Sequence, residues 1–390
     1  MQDSSKSLIA TAFGHFINYG LTNIFPIIYP LLLRDYSFTT TSIGIIAASL
    51  NIFAIIASPF IGRRSDARRN FVSLIIFGIV ILAISTAGFS FAMIYFTGFE
   101  LFFILIFFAS MNGFGSSFYH PIGAAILSEQ WGSKNRGRAL GINGSMGSLG
   151  ILVVPIIAVA LIGKFGTVSI AVLGGTGLIV AWLIYMLMRG VRFYPASSAP
   201  TAPLREVGPV PSQFLSSSPL AVSKSISLGV ILPTIMALTI YSFIRSVFTS
   251  SISQFLPAYL TTVNRIPYNY VGLAVAVVPG MGIISQPLLG QLADRFGRRL
   301  VLGISSVAAS VTMIFFLYSS NIILSEVLLG MSGMFQYTAF PLTLALASEI
   351  SPKGANTLSN SIVWGFGGVA GATFGSLLTE YYRNLLFWAL

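Results

Sequence analysis

Three ionisable side chains lie deep within long apolar stretches of this chain: His15, His120 and Arg245. An ionisable group is costly inside a membrane-spanning stretch, so such residues usually mark a site of function. Histidine titrates near neutral pH and can therefore take up and release protons. Arginine keeps a fixed charge, and its planar guanidinium binds carboxylates and phosphates through paired hydrogen bonds. The three residues predict proton transfer beside a site that binds an anion.

Each of these residues also has a purely structural interpretation. Both histidines can be hydrogen-bonded between packed helices, and Arg245 can pair with Glu326 or with helix-end carbonyls. We predict no metal site, because two histidines without a carboxylate or thiolate do not complete one. Each histidine is about eight residues from an expected helix end, which places both roughly 12 Å from the same membrane surface. Their equal depth makes joint action possible.

The elements that must position these residues are membrane-spanning helices. The chain has 390 residues, of which 55% are hydrophobic and only 8% are charged. That is too little charge to cover the surface of a soluble protein of this size. Apolar runs recur at the length of about 20 residues that a helix needs to cross a bilayer. We place eleven spans at about 8–33, 41–61, 71–92, 100–128, 138–162, 167–188, 228–261, 269–289, 300–318, 321–349 and 356–379.

One unit of about half the chain occurs twice. Residues that recur at a fixed offset of 228 or 220 positions are Gly62 with Gly290, Asp66 with Asp294, and Glu129 with Glu349. Such a repeat, with a Pro- and Ser-rich linker between its copies, indicates two similar bundles. We expect an all-α polytopic fold with a six-helix bundle at 1–190, a cytoplasmic linker at 191–226 and a second bundle at 227–390. The second bundle has five helices and the start of a sixth, so we expect the twelfth helix to be truncated.

The basic residues give the orientation. If the N-terminus is cytoplasmic, 16 of the 21 Lys and Arg residues fall on the cytoplasmic side. This bias satisfies the positive-inside rule. The net charge of +11 is therefore a topology signal, and we expect no nucleic-acid partner. We predict a multi-pass protein of the cell membrane with a cytoplasmic N-terminus.

The basic turn Gly290–Arg299 resembles a loop of the major facilitator superfamily, G-x-L-x-D-R-x-G-R-[KR], at every position. The first copy, from Gly62, departs from this pattern: Arg64 replaces Leu, and Ala67 replaces Arg. The resemblance implies two six-helix bundles in the same orientation, with substrate bound between them near the membrane midplane.

A narrower resemblance is to the fosmidomycin-resistance type of efflux transporter. The matching stretches are Gly14–Asn18 with Pro26 and Pro30, Tyr119–Pro121, Arg136–Gly141, Ile244–Ser246 and Phe255–Pro257. That group typically has an acidic residue directly after Asn18, where this chain has Tyr19. The resemblance implies efflux but does not name the exported compound.

Polar side chains inside the spans are the candidate contacts for substrate. We predict a binding set of Arg245, Tyr241, Asn18, Asn112, Gln254, Gln336, Tyr337 and Trp364. We predict proton coupling by His15 and His120. Softer polar positions are Asn23, Asn51, Gln286 and Asn360. Each polar residue has an alternative role in holding helices together.

The repeated turns are candidates for a gate. We expect them to form ion-pair clusters that close the cytoplasmic face. The residues assigned to this gate are Gly62, Asp66, Arg69, Glu129, Gly290, Asp294, Arg295, Arg298 and Glu349.

Together these features predict a secondary active transporter that couples protons to the efflux of small organic compounds, with anionic ones favoured by Arg245. No nucleotide-binding loop, H-E-x-x-H motif or nucleophile triad is present in the sequence, so we predict neither an enzyme nor a cofactor. We expect a monomer in the lipid bilayer. An uptake permease or uniporter for an organic anion remains an alternative, as does a membrane sensor of the same fold without transport.

Overall fold

The computed structural model describes residues 2–191, 193, 228–262, 268–319, 321–352, 354–375 and 377–378. Within these residues the chain is all-helical, and ten helical stretches are long and apolar enough to cross a membrane. This confirms the predicted class of an all-α polytopic membrane protein. Most of the predicted linker, and the C-terminal segment where we expect a truncated twelfth helix, lie outside the described residues.

The helices follow the predicted spans, although several ends differ. The N-terminal half contains α1 (Asp3–Thr22), α2 (Phe25–Asp35), α3 (Thr40–Arg68), α4 (Phe71–Tyr95), α5 (Gly98–Ser116), α6 (Tyr119–Phe165) and α7 (Val168–Met188). The C-terminal half contains α8 (Leu228–Thr262), α9 (Tyr268–Phe296), α10 (Arg298–Tyr318), α11 (Ile322–Ile350), α12 (Asn356–Ile362) and a π-helix (Val363–Val369). Helices α3 and α9 continue through the predicted turns, so Asp66 and Asp294 lie in helix ends rather than in loops.

Proline interrupts the first and fourth predicted spans. Pro26 lies in the first turn of α2, and Pro121 lies in the first turn of α6. A proline cannot bond to the carbonyl four residues earlier, and its ring clashes with that carbonyl. These carbonyls belong to Thr22, where α1 ends, and to Ser117, just after α5. Each predicted span is therefore built from two helices.

Helix α6 contributes to two antiparallel spans: it completes the span that α5 begins, and it forms the next one. Its 47 residues would extend about 70 Å if straight, more than twice the thickness of the hydrocarbon layer. In order along α6, its contacts with α1 pair Tyr119 with Thr11, Trp131 with Ser4, Asn143 with His15 and Gly150 with Phe16. The α1 partners run first toward the N-terminus of α1, from Thr11 to Ser4, and then back toward its C-terminus, to His15 and Phe16. The chain therefore reverses direction between Trp131 and Asn143. We call 119–131 the first arm and 135–165 the second arm.

Glycines allow the two halves to touch at one end of the bundle. The second arm of α6 packs against α9, and α3 packs against α12. A side chain on Gly290 would overlap the carbonyl of Gly137, and one on Gly62 would overlap that of Thr357. Small residues permit such close backbone approach between membrane helices. We call this end, formed by the C-terminal ends of α3 and α9, the basic end.

The outer faces of the helices are apolar. Large hydrophobic side chains there are strongly exposed, among them Phe60 at 73%, Ile323 at 76% and Trp182 at 57%. Such a continuous apolar exterior is typical of a surface in contact with lipid. The polar groups described below therefore lie inside the bundle.

The fold predicts which introduced cysteines share a membrane side. The chain contains no cysteine, so each single-cysteine variant is labelled at one place only. Arg68→Cys and Arg299→Cys lie at exposed positions of the basic end, and Lys164→Cys lies at the other end of the second arm. In intact cells, an impermeant maleimide should label Lys164→Cys but neither arginine position. Labelling of Arg68→Cys and Arg299→Cys from opposite sides would contradict the fold.

Candidate functional site

A cavity of about 380 Å³ lies between the two halves. The N-terminal half contributes residues of α1, α3, α5 and both arms of α6, and the C-terminal half contributes residues of α8, α11 and the π-helix. Its principal polar and aromatic lining residues are Tyr19, Asn51, His120, Arg245, Gln336, Tyr337 and Trp364. Further cross-half contacts, of Gly141 and Gly144 with Gln286, lie between this cavity and the basic end.

Arg245 brings a positive charge into the cavity. Its Nη1 is 3.5 Å from the Gln336 carbonyl and its Nη2 is 3.3 Å from Ser246 Oγ, both long for hydrogen bonds. Its Nε is buried without a hydrogen-bond partner in the described part of the chain. Among the described residues no carboxylate is within 4.0 Å of the guanidinium, so the alternative pairing with Glu326 is absent. The charge of Arg245 is therefore available to a ligand.

The two histidines are neighbours at the floor of the cavity. Their ring centroids are 5.1 Å apart, with the rings edge to face. His120 lines the cavity, whereas His15 lies behind it and is 4% exposed. Of the two predicted proton carriers, His120 is therefore the one that faces the cavity.

A hydrogen-bond chain fixes the tautomer of His15. Its Nδ1 is 2.8 Å from the Asn143 carbonyl and 2.9 Å from Asn143 Oδ1. Both oxygens accept, so Nδ1 must carry the hydrogen. Asn143 Nδ2 donates to the Tyr119 hydroxyl, which donates to the Thr11 carbonyl. This leaves Nε2 of His15 as an acceptor.

Gly147 makes room for the His15 ring. A Cβ atom at this position would lie 2.6 Å from His15 Nε2, which is too close. Nε2 has no hydrogen-bond partner in the described part of the chain, and the same is true of Nε2 in His120. Both rings thus keep one nitrogen without a partner among the described residues.

Three residues of the predicted binding set lie outside the cavity lining. Asn112 donates to Ser85 Oγ on α4 at 3.1 Å, and the Tyr241 hydroxyl is 2.7 Å from Ser306 Oγ on α10. Asn18 is fully buried and accepts from Ser116, which itself lines the cavity. These side chains hold helices together, because each one is hydrogen-bonded to a neighbouring helix. The side chain of Gln254 lies outside the described part of the chain.

The sequence analysis missed a polar face on α8. Ser246, Thr249 and Ser250 line the cavity with Arg245. Their spacing of three and four residues is that of one helix face, and this periodicity in an apolar helix is the signal that could have found them. Asn143 was also missed, because a single polar residue in a Gly-rich stretch carries no comparable signal.

Ion pairs at the basic end lie within each half. Arg69 makes a two-pronged contact with Glu129, at 2.7 and 2.6 Å. Arg298 bonds Asp294 at 2.7 Å and Glu349 at 2.8 Å. Arg295 is exposed over the ring of Phe296 and forms no ion pair with a described residue, and its place in the gate stays a prediction.

At the basic end, Asp66 and Asp294 join the halves through carboxylate-to-amide hydrogen bonds rather than through the expected ion pairs. Asp66 accepts from the backbone N–H groups of Thr357 and Leu358 at 3.0 and 2.8 Å, at the start of α12. Asp294 accepts from those of Gly137 and Arg138, both at 2.8 Å, at the start of the second arm. Helix starts present unpaired N–H groups and a partial positive charge, which a carboxylate satisfies.

The comparison with known families agrees with this architecture. The sequence profile of the Major Facilitator Superfamily matches residues 11–376. The chain belongs to this superfamily. Its members are membrane transporters rather than enzymes. A relative from Bacillus subtilis (strain 168), an uncharacterized MFS-type transporter named YfnC, is 26% identical over 377 residues, covering 95% of this chain and 86% of the relative.

Solved structures of the superfamily share the fold. The human organic anion transporter MFSD10 gives a TM-score of 0.70 at 11% identity, covering 98% of this chain and 94% of the other. A bacterial homologue of the iron transporter ferroportin, solved in an outward-facing state, gives 0.70 at 16% identity, covering 99% and 95%. At these identities the likeness establishes the fold alone. The narrower resemblance to fosmidomycin-resistance transporters stays a hypothesis.

The cross-half hydrogen bonds predict how the basic end opens. Asp66→Asn and Asp294→Asn each replace one acceptor oxygen with an NH₂ group, which faces a backbone N–H. Losing a hydrogen bond to a charged group costs about 1.5–3 kcal/mol, so the ratio of closed to open molecules should fall roughly tenfold or more. A cysteine at Ser145, whose hydroxyl bonds the Ile283 carbonyl across the halves, reports the opening by its rate of maleimide labelling.

The control is Glu100→Gln, which changes an exposed carboxylate in the first turn of α5 without touching the other half. It should leave labelling of the Ser145 cysteine unchanged. Equal labelling rates in the wild type and both aspartate variants would show that these bonds do not hold the basic end closed.

Proposed function

We propose that this chain is a secondary active transporter that exports small organic anions in exchange for protons. One observation carries the proposal: Arg245 places a charge in the central cavity with no carboxylate partner among the described residues. An anionic substrate supplies that partner when it binds.

The chemistry of Arg245 favours an anion over a neutral substrate. A buried charge is costly until it is paired and hydrogen-bonded. The guanidinium makes only two long hydrogen bonds with the described residues, so its remaining N–H groups can bind a carboxylate or phosphonate in two-pronged fashion. MFSD10, which has the same fold, is an organic anion transporter, and its activity is consistent with this chemistry.

Alternating access supplies the route across the membrane. Asp66 and Asp294 join the halves at the basic end. The cavity lies farther along the bundle, beyond these contacts and away from the basic end. We place the basic end on the cytoplasmic side of a bacterial-type cell membrane. With that orientation, this conformation is outward-facing. Rocking of the two halves breaks both carboxylate contacts and opens the cavity to the cytoplasm.

The two histidines are the proposed carriers of the coupled proton. They are adjacent, and each has a nitrogen with no protein partner in the described part of the chain. Driven export needs a group whose protonation differs between the two open states. Histidine can change protonation near neutral pH, and these two residues take the place of the carboxylate that the efflux group carries after Asn18.

Two alternatives differ in direction or in activity. Uptake of an organic anion, or uniport without protons, uses the same cavity and the same arginine. A sensor of this fold would bind a ligand without moving it. Flux of a labelled anion in proteoliposomes separates transport from sensing, and its dependence on an imposed pH gradient separates coupled from passive transport. We propose that the monomer suffices, because the cavity lies within one chain.

Variants of Arg245 test the anion site. Arg245→Ala should abolish anion binding, because the cavity loses its charge. Arg245→Lys should keep part of it, because an ammonium retains the charge but not the paired geometry. Arg189→Ala is the control, since Arg189 is exposed at the end of α7. Anion binding to the Arg245→Ala variant at wild-type affinity, in equilibrium dialysis, would refute the site.

A double variant tests the proton carriers. The His15→Gln, His120→Gln chain keeps hydrogen-bonding side chains but cannot hold the extra proton. It should still exchange substrate across a proteoliposome membrane while losing accumulation driven by a pH gradient. Accumulation with the wild-type dependence on the gradient would make both histidines packing residues.

A further inference from the structure

Aromatic rings form one wall of the cavity. His120 stacks on Trp364 with centroids 4.8 Å apart and planes inclined by 27°. The edge of His120 also faces Phe340 at 5.6 Å. The guanidinium of Arg245 lies 5.7 Å from the Phe340 ring. The wall of rings therefore begins directly beneath the cavity's positive charge.

Gly368 leaves a slot in this wall. It lines the cavity, and a methyl group there would lie 3.7 Å from Trp364 Cδ1 and 4.0 Å from Phe340 Cε2. Both are ordinary van der Waals distances, so two rings border the space that the absent side chain leaves. A flat ring in that space contacts Trp364 and Phe340 in the edge-to-face or offset arrangements that aromatic groups prefer.

The backbone of this wall is itself unusual. Trp364 and Gly368 both belong to the π-helix Val363–Val369. Such π-helical turns are rare; they occur mostly as single turns inside α-helices and are frequent at functional sites. This backbone feature is independent of the ring contacts, and it supports a role for the same segment in ligand binding.

We propose that the substrates are aromatic carboxylates, with the ring in the slot at Gly368 and the carboxylate on Arg245. This inference rests on the proposed anion site and adds the chemistry of the rest of the molecule. Ser246, which touches the guanidinium, and Gln336 line the cavity near the carboxylate position. A volume of about 380 Å³ suits a small mono- or bicyclic acid.

A matched set of three probes tests both ends of the substrate in the unmodified chain. These are 2-naphthoate, its saturated analogue decahydro-2-naphthoate, and the neutral 2-naphthamide. Equilibrium dialysis with the purified protein in lipid nanodiscs gives the three affinities. Naphthoate should bind roughly tenfold more tightly than the saturated acid, because each aromatic pair adds about 0.5–1.5 kcal/mol beyond its buried area. It should also bind at least about tenfold more tightly than the amide, which has no charge for Arg245.

Gly368→Ala tests the slot with a minimal change. The added methyl group fits the protein without a clash, so the variant should fold. It should weaken naphthoate binding and leave binding of acetate-sized anions unchanged. Gly175→Ala is the control, since a methyl group there meets nothing within 4 Å on α7. Trp364→Leu should bring the affinities of the two acids together, and Trp364→Phe should restore the preference.

The outcomes separate this inference from the anion site. Equal binding of the two acids, with both lost in Arg245→Ala, overturns aromatic selection and leaves the anion site standing. Equal binding of naphthoate and naphthamide overturns the anion site and leaves ring recognition standing. No binding of either acid overturns both.

Discussion

A bilayer offers neither hydrogen bonds nor counter-charges to the inside of a helical bundle, and this constraint organises the whole molecule. Polar groups inside must find partners in the protein. At the basic end they do: Asp66 and Asp294 each satisfy two backbone N–H groups of the opposite half. In the cavity, Nε of Arg245 and Nε2 of His120 have none among the described residues. The charge of Arg245, which has no carboxylate partner among the described residues, distinguishes the binding site from the closing contacts.

The closing contacts suit a gate because water can replace them. A carboxylate and a helix start at a membrane surface are both hydrated when they separate, so opening exchanges hydrogen bonds rather than losing them. The ion pairs within each half, such as Arg69 with Glu129, do not cross between the halves, so we expect them to persist when the halves separate. Glycine at positions 62 and 290 supplies the close approach that makes these contacts short.

Sequence reasoning recovered the family, the helical class and the cavity's charge, because Arg245 and the repeated turns carry strong physical signals. The direction in which each side chain leaves its helix could not be predicted from the sequence. Tyr241 is one turn from Arg245, yet side chains on a helix lean toward its N-terminus, and its hydroxyl reaches Ser306 instead. Asn143 became visible only through its contact with His15, 128 positions away. His120 and Trp364, which stack on one another from opposite halves, likewise meet only in the folded chain.

The central claim is that the cavity holds an uncompensated positive charge within reach of solutes. Ser250→Cys places a thiol in the cavity lining near Arg245, in a chain without other cysteines. Its rates with a sulfonate-bearing and a trimethylammonium-bearing methanethiosulfonate, each divided by the rate with a free thiol, measure the local potential. The account predicts a ratio that favours the anionic reagent and falls to about one or below in Arg245→Ala. Equal normalised rates in the chain with Arg245 intact would contradict it.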